Sequence, residues 1–341
     1  MNWLVNVLFF GYGIYQVSSS IGDASWAYRS CTEECRKSFS CPERFDSCGW
    51  SNGPCFRCRY DCMWNTVDIF KRDDGFVPQF HGKWPFLALH ISLLGVADLV
   101  IQEPASFVFS LLNFYSFYLL YSRIKLMHKL NSNRVWTLYA TTGLVTWLCS
   151  AIFHARDCWL TEYMDYFSAF AFILCASYVS FCFTYSWMGV STYRMWWMYV
   201  PFSYSGETSI YLSEFRSSIY GSLLLLWFTR HIYHMMKHFD YGYNMRCCIG
   251  VSMATTVMYM LYIASRWRTL RQLSSSDRML IGMMVWANCS ILLETLDFAP
   301  ILWIFDAHSL FHAATVPLPL YLGAFLQQHL TETEYGYSKR V

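Results

Sequence analysis

Charge is scarce in this chain. Only 14% of its 341 residues are Asp, Glu, Lys or Arg, and the formal net charge is +2. With both signs thinly spread, there is neither the basic footprint of a nucleic-acid binder nor an acidic tail. Internal repeats, a Gly-rich phosphate loop and low-complexity tracts are also missing, so no repeat array or nucleotide-binding motif is indicated. What fills the space is apolar: 55% of residues are hydrophobic and 20% aromatic, a balance that soluble domains rarely approach. The sequence predicts an integral membrane protein whose partners are lipids or lipid-like molecules.

The first twenty residues lack Lys and Arg altogether. They nevertheless carry an apolar run from Trp3 to Tyr15 followed by small polar residues, the form of a cleavable secretory signal ending near Ser20 or Ala24. Seven of the fourteen cysteines then crowd into one polar stretch: Cys31, Cys35, Cys41, Cys48, Cys55, Cys58 and Cys62. Such density predicts disulfides in an oxidising compartment. Zinc on Cys55 and Cys58 is the competing reading, but a matching second pair is missing. Seven is odd, so one thiol is free or pairs elsewhere, with Cys158 a candidate.

Hydrophobic runs of about 20 residues, the length needed to cross a bilayer, organise the remainder. Spans are expected at 99–122, 135–154, 163–186, 215–236, 245–265, 279–297 and 307–327. Phe86–Val96 and Met195–Val200 blur the count, as an eighth span or as interfacial helices. Arg123, Lys125, Lys129 and Arg134 mark one cytosolic loop, and Arg266, Arg268, Arg271 and Arg278 another. Arg230, Lys237 and Arg246 weaken that bias without reversing it. The expected division is a signal at 1–20, a lumenal cysteine-rich domain and connector at 21–98, a seven-helix all-α membrane domain at 99–327 and a cytosolic tail at 328–341. Asn288-Cys289-Ser290 fits a glycosylation sequon but falls inside a span.

Ionisable residues within a membrane cost roughly 2.5–3.5 kcal/mol each and are functional candidates by default. His308 and His312 lie four apart, so a helix points both imidazoles to one face. His154 ends the second span on the same side of the membrane. Three histidines with an open fourth position suit a catalytic zinc. Ser150 shares the helix face of His154, and Asp165 follows across a turn at the same depth. Zinc lowers the pKa of water to about 7, a carboxylate can take the proton, and a hydroxyl can donate to a developing oxyanion. Those are the parts needed to hydrolyse an ester or amide. Asp306 either orients a histidine or caps the last span. His231, His234 and His238, beside Arg230 and Lys237, read as a wet interfacial face. Glu103, Glu294 and Asp297 read either as paired carboxylates or as a second cation site.

A collinear series of motifs then carries a resemblance: Gly22-Asp23, CFRCRYDCMW from Cys55, VPQFHGKWPF from Val77, QEPAS from Gln102, FHARD from Phe153, TEYMDYF from Thr161, FDYGYN from Phe239, LETLDFAP from Leu293 and DAHSLFH from Asp306. The chain resembles the Per-like family of the CREST superfamily. That superfamily shares a Ser four before a His, an Asp eleven after it and a closing HxxxH, which fall here on Ser150, His154, Asp165, His308 and His312. The resemblance implies zinc on the three histidines, with Ser150 and Asp165 beside the activated water and the substrate oxygen. It implies a GPI-specific phospholipase A2 that removes the sn-2 acyl chain from GPI-anchored proteins in the secretory pathway. The Golgi apparatus is the expected residence, with the endoplasmic reticulum as alternative, the amino terminus lumenal and the carboxy terminus cytosolic. Ceramide amide hydrolysis and a zinc-containing seven-helix receptor or trafficking factor are the rival readings.

Overall fold

The computed structural model describes residues 20–43, 48–51, 53–93, 97–127, 133–192 and 206–338. The expected signal, except Ser20, and the stretch Met195–Val200 lie outside the described residues.

Short helix α1 (Ile21–Ala24), α2 (Trp26–Phe39) and α3 (Gly53–Asp73) form the amino-terminal unit. α2 starts where the Ser25 side chain accepts from the backbone N–H of Tyr28 and ends at Ser40, which adopts the left-handed conformation. Three disulfides lace the unit, Cys31–Cys62, Cys35–Cys58 and Cys41–Cys55. A fourth, Cys48–Cys158, ties it to the loop between two membrane helices. All seven clustered cysteines are thus paired, the odd one with Cys158. So small a unit has little core of its own, and cross-links of this kind offset that deficit.

The polar connector returns against the unit. The backbone N–H groups of Gly22 and Gly82 donate to Gln79 O at 3.0 Å and Ser20 Oγ at 2.7 Å, and that of His81 to Asp23 Oδ1 at 2.8 Å. Residues 86–93 and 97–101 are not helical. Strand β1 (Leu89–Leu93) pairs antiparallel with β2 (Ala97–Ile101), a small addition to an otherwise helical chain, and the first helix of the bundle starts later than residue 99. Pro104 sets that start. A proline at the first helical position gives up an N–H that would have no partner there, and its ring clashes with any earlier turn.

The helices that follow are α4 (Pro104–Leu126), α5 (Asn133–Ala155), α6 (Trp159–Thr192), α7 (Gly206–Lys237), α8 (Tyr241–Leu270), α9 (Ser275–Glu294), α10 (Ala307–Thr315) and α11 (Pro317–Ser338). Helix stands at each of the seven expected places. Five stretches among the described residues are long and apolar enough to cross a membrane: α4, α5, Trp159–Tyr185 of α6, α8 and Ala307–Thr333 across α10 and α11. α9 falls short because its 20 residues include the polar start Ser275-Ser276-Asp277-Arg278. Pro317 divides the last rod, since it has no N–H for the Ala313 carbonyl and Val316 takes that acceptor instead. Helix also runs on to Ser338, into the stretch expected as tail.

The chain is a polytopic helical membrane protein whose bundle buries small polar residues and histidines alongside an apolar core and is apolar outside. On α4 the buried stripe is Ser106, Ser110, Asn113, Phe117, Leu120 and Ile124, while Val108, Leu111, Leu112, Tyr115 and Tyr118 face outward. The steps of four and three keep one helix face inward. One core cluster joins Phe117, Trp136, Val179, Tyr262, Leu280 and Phe325, one residue from each of α4, α5, α6, α8, α9 and α11, and a second joins Phe170 and Leu174 of α6, Leu224 of α7 and Val251 of α8. Gly143 of α5 permits the closest approach, for a Cβ there would lie 2.2 Å from the buried Phe117 ring. Gly143→Ala should therefore lose about 1–3 kcal/mol, against the usual gain of helix propensity. Gly250→Ala, with nothing near its Cβ position, should lose nothing, and thermal denaturation in detergent compares the two.

Candidate metal centre

His154 sits one residue from the end of α5, and a backbone clamp fixes its surroundings. The N–H of Glu103 donates to His154 O at 3.0 Å and that of Gln102 to Ala155 O at 3.3 Å. The junction of β2 and α4 is thereby pinned to the end of α5, which brings the Glu103 carboxylate to the imidazole: Oε2 lies 2.6 Å from His154 Nδ1.

His308 and His312 rise from the first turns of α10. Asp306 caps that helix in a reciprocal box, accepting from Ser309 N at 2.8 Å while its own N–H donates to Ser309 Oγ at 2.9 Å. Its carboxylate serves the cap, and the groups that bond the imidazoles are others. His308 Nδ1 is 2.8 and 3.0 Å from the oxygens of Glu294, which also accepts from Tyr241 OH at 3.1 Å. His312 Nδ1 is 3.0 Å from Ser110 Oγ, and Asn113 Nδ2 donates to the His312 carbonyl at 2.8 Å. The edge of Trp147 stands against the His312 ring, 5.1 Å away and nearly perpendicular.

These partners decide the tautomers. An ionised carboxylate only accepts, so His154 and His308 each donate from Nδ1, and the neutral ring then carries a lone pair on Nε2. Ser110 reaches the same result by a longer route. Its hydroxyl donates to Ser106 O at 2.7 Å, so it accepts from His312 Nδ1 and also faces Ser150 Oγ at 3.1 Å. Each of the three rings is thus left with an Nε2 lone pair, and the ring centroids are 4.4, 5.0 and 5.2 Å apart. One ligand atom from each histidine lies within 4.8 Å of one from each of the others. The chemistry fits a metal ion, because His154 Nε2 is buried with no hydrogen-bond partner, an arrangement that costs free energy unless something binds it. Imidazoles whose outer N–H is held by carboxylates are characteristic of such sites.

Asp165 lies beside the Ser150 hydroxyl and within electrostatic reach of His154 and His308. Ser150, His154, Asp165, His308 and His312 are thus brought to one locality. Glu103 and Glu294 are not paired with one another; each holds a histidine. Asp297 accepts instead from Trp84 Nε1 at 2.6 Å and Gln79 Nε2 at 3.1 Å. His231 corrects the wet-face expectation. It is fully buried, 3.1 Å from Asn244 Oδ1 and against the Phe170 ring.

Comparison with known proteins places the chain. Residues 47–330 match the model of the Per1-like family. The chain belongs to that family. Among its relatives, the mouse "GPI-specific phospholipase A2-like PGAP3" is 32% identical over 322 residues, covering 90% of this chain and 88% of that protein. The zebrafish protein of the same name is 32% identical over 336 residues, 93% of each. The Drosophila melanogaster "Post-GPI attachment to proteins factor 3" is 34% identical over 263 residues, 76% of this chain and 70% of the fly protein. No solved structure was found to match.

Lys83 and Asp157, outside the membrane helices, complete the surroundings of Glu103. Lys83 Nζ is 3.0 Å from Glu103 Oε1 and 2.8 Å from Asp157 Oδ2. Burial alone would raise the Glu103 carboxyl, but Lys83 and His154 outweigh it and hold it well below the usual carboxylate range. Burial likewise opposes the Lys83 charge, and Asp157 with Glu103 keep the ammonium above its ordinary value. A depressed carboxyl contributes fully above its ordinary pKa of 4.5, and the contribution is lost as pH falls through the lowered value. The tie therefore persists at mildly acidic pH. Glu103→Ala should cost more stability than Glu294→Ala, because it strands a His154 side chain only 1% exposed against 34% for His308. A difference of about 1–3 kcal/mol in metal-free protein is expected, measured by denaturant titration in detergent at pH 5 and pH 7.

Proposed function

We propose that the chain hydrolyses the sn-2 ester of a GPI anchor already attached to protein, with zinc held by His154, His308 and His312. The observation that carries this reading is the convergence of three imidazole lone pairs beside Asp165 and Ser150, in a chain whose relatives bear the name GPI-specific phospholipase A2-like. When bound, zinc would supply Lewis-acid polarisation and lower the pKa of a water.

Asp165 takes the proton of the attacking water, and the Ser150 hydroxyl donates to the carbonyl oxygen as negative charge develops on it. The water's oxygen adds to the acyl carbon, the bond from that carbon to the sn-2 oxygen breaks, and the proton passes to the departing oxygen. A lyso-lipid and a free fatty acid result. Glu103, Glu294 and Ser110 hold the three rings in one tautomer and one orientation throughout.

Seven membrane-crossing helices, an amino-terminal unit in the lumen and a cytosolic carboxy terminus accord with this substrate, which resides in the lumenal leaflet. Four disulfides also favour an oxidising compartment, and the reading includes residence in the Golgi apparatus, or alternatively the endoplasmic reticulum. The cleft between unit and bundle, lined by Arg59, Tyr60, His81, Trp84, Gln102 and Asp157, offers polar and aromatic surface on the far side of Glu103. Such a surface suits a substrate with a glycan head and argues against a bare ceramide. His308→Ala and Asp165→Ala should each reduce formation of lyso-GPI by at least 100-fold, read by mass spectrometry of GPI anchors from cells whose own activity has been removed. Normal sn-2 removal by both variants would sink the mechanism.

A further inference from the structure

The sequence HGKWPF lies outside the membrane bundle, yet its lysine reaches the group that orients a histidine. Lys83 is delivered by a connector held on both sides. Gly82 and His81 on one flank bond to Ser20 and Asp23, while Trp84 and Leu87 on the other bond to Asp297 and the Trp303 carbonyl. The ammonium stands 4.1 Å from the centre of the Phe153 ring, the residue preceding His154.

The two oxygens of Glu103 are divided between two partners, Oε1 with Lys83 at 3.0 Å and Oε2 with His154 Nδ1 at 2.6 Å. Rotating the carboxylate to improve one contact breaks the other. Lys83 therefore fixes the angle at which Glu103 presents its acceptor, and through it the direction of the His154 Nε2 lone pair. Asp157 holds Lys83 from the far side, and the neighbouring Cys158 is bonded to Cys48 of the amino-terminal unit.

We propose that Lys83 is a positioning residue of the metal centre, acting through Glu103 on His154, so that the connector packed against the cysteine-rich unit contributes a working part of the site. The proposal rests on the three histidines being metal ligands. A lysine that merely fastened the unit to the bundle would add stability without altering how tightly the histidines hold an ion.

The test uses the full chain purified in detergent and stripped of metal, with zinc affinity measured by competition against a chromophoric chelator. Lys83→Met should weaken zinc 10- to 100-fold, the range for loss of groups that orient metal ligands. Lys83→Arg, which keeps the charge, should restore most of that affinity. Lys83→Gln, retaining a donor in similar volume, supplies the same comparison if the methionine variant does not fold. In a Glu103→Gln background the lysine substitution should add nothing, because its route is already cut. Lys71→Met, a lysine of the adjoining cysteine-rich unit stacked on Trp303, should leave affinity unchanged. Unaltered affinity in folded Lys83→Met or Lys83→Gln overturns the proposal, as does an equal loss in both Glu103 backgrounds. A wild-type chain that binds no zinc overturns the histidine reading itself.

Discussion

The hydrogen bond between His154 and Glu103 is the constraint around which the molecule is organised. An imidazole and a carboxylate buried together cannot each be left to water, so each must find its partner inside the protein. Meeting that requirement draws the end of α5, the start of α4 and the returning connector to one point. The backbone bonds between residues 102–103 and 154–155 hold the pair at 2.6 Å, and Pro104 stops the helix from winding past it. A small β-hairpin leads into the junction from outside, which explains why an extended segment sits at the head of a helical membrane domain.

The same logic runs down the bundle. Ser106, Ser110 and Asn113 occupy the inward stripe of α4, with Leu and Tyr on the outward face. Small polar residues let helices approach closely and supply acceptors where no water reaches. Ser110 does both, filling a tight contact and fixing the tautomer of His312 from the same helix whose first residue follows Glu103. Two of the three rings are therefore oriented from the start of α4 and the third, by Glu294, from the end of α9. Precision at the centre is a property of how the helices pack.

Much of this was legible from residue order. Apolar runs located the helices, and the spacing of Ser150, His154, Asp165, His308 and His312 drew those five together before any coordinate. The helix boundaries were harder, because hydropathy does not register the backbone chemistry of Pro104 or Pro317. The apolar stretch Phe86–Val96 reads as a further span or an interfacial helix, since short runs do not declare their period. Glu103 and Glu294 were noticed only as misplaced charges: QEPAS and LETLDFAP carry the residues, but nothing local says which imidazole each will face. Ser110 gave no signal, being one serine among many. Lys83 looked like a connector charge, and its reach across 20 residues to Glu103 is a fact of tertiary structure alone.

The bridge from Cys48 to Cys158 spans 110 residues, whereas the other three close over 14 to 31. On a growing chain the three short links have both halves available early. Cys48 must wait for three further helices to be made, about 5–20 s at ordinary rates of synthesis. During that interval it is the one thiol of its unit without a native mate, surrounded by six that could capture it wrongly. Fast closure of the local pairs is what keeps it available, so the order of oxidation, and not merely its completion, determines whether the unit comes to rest above the histidines.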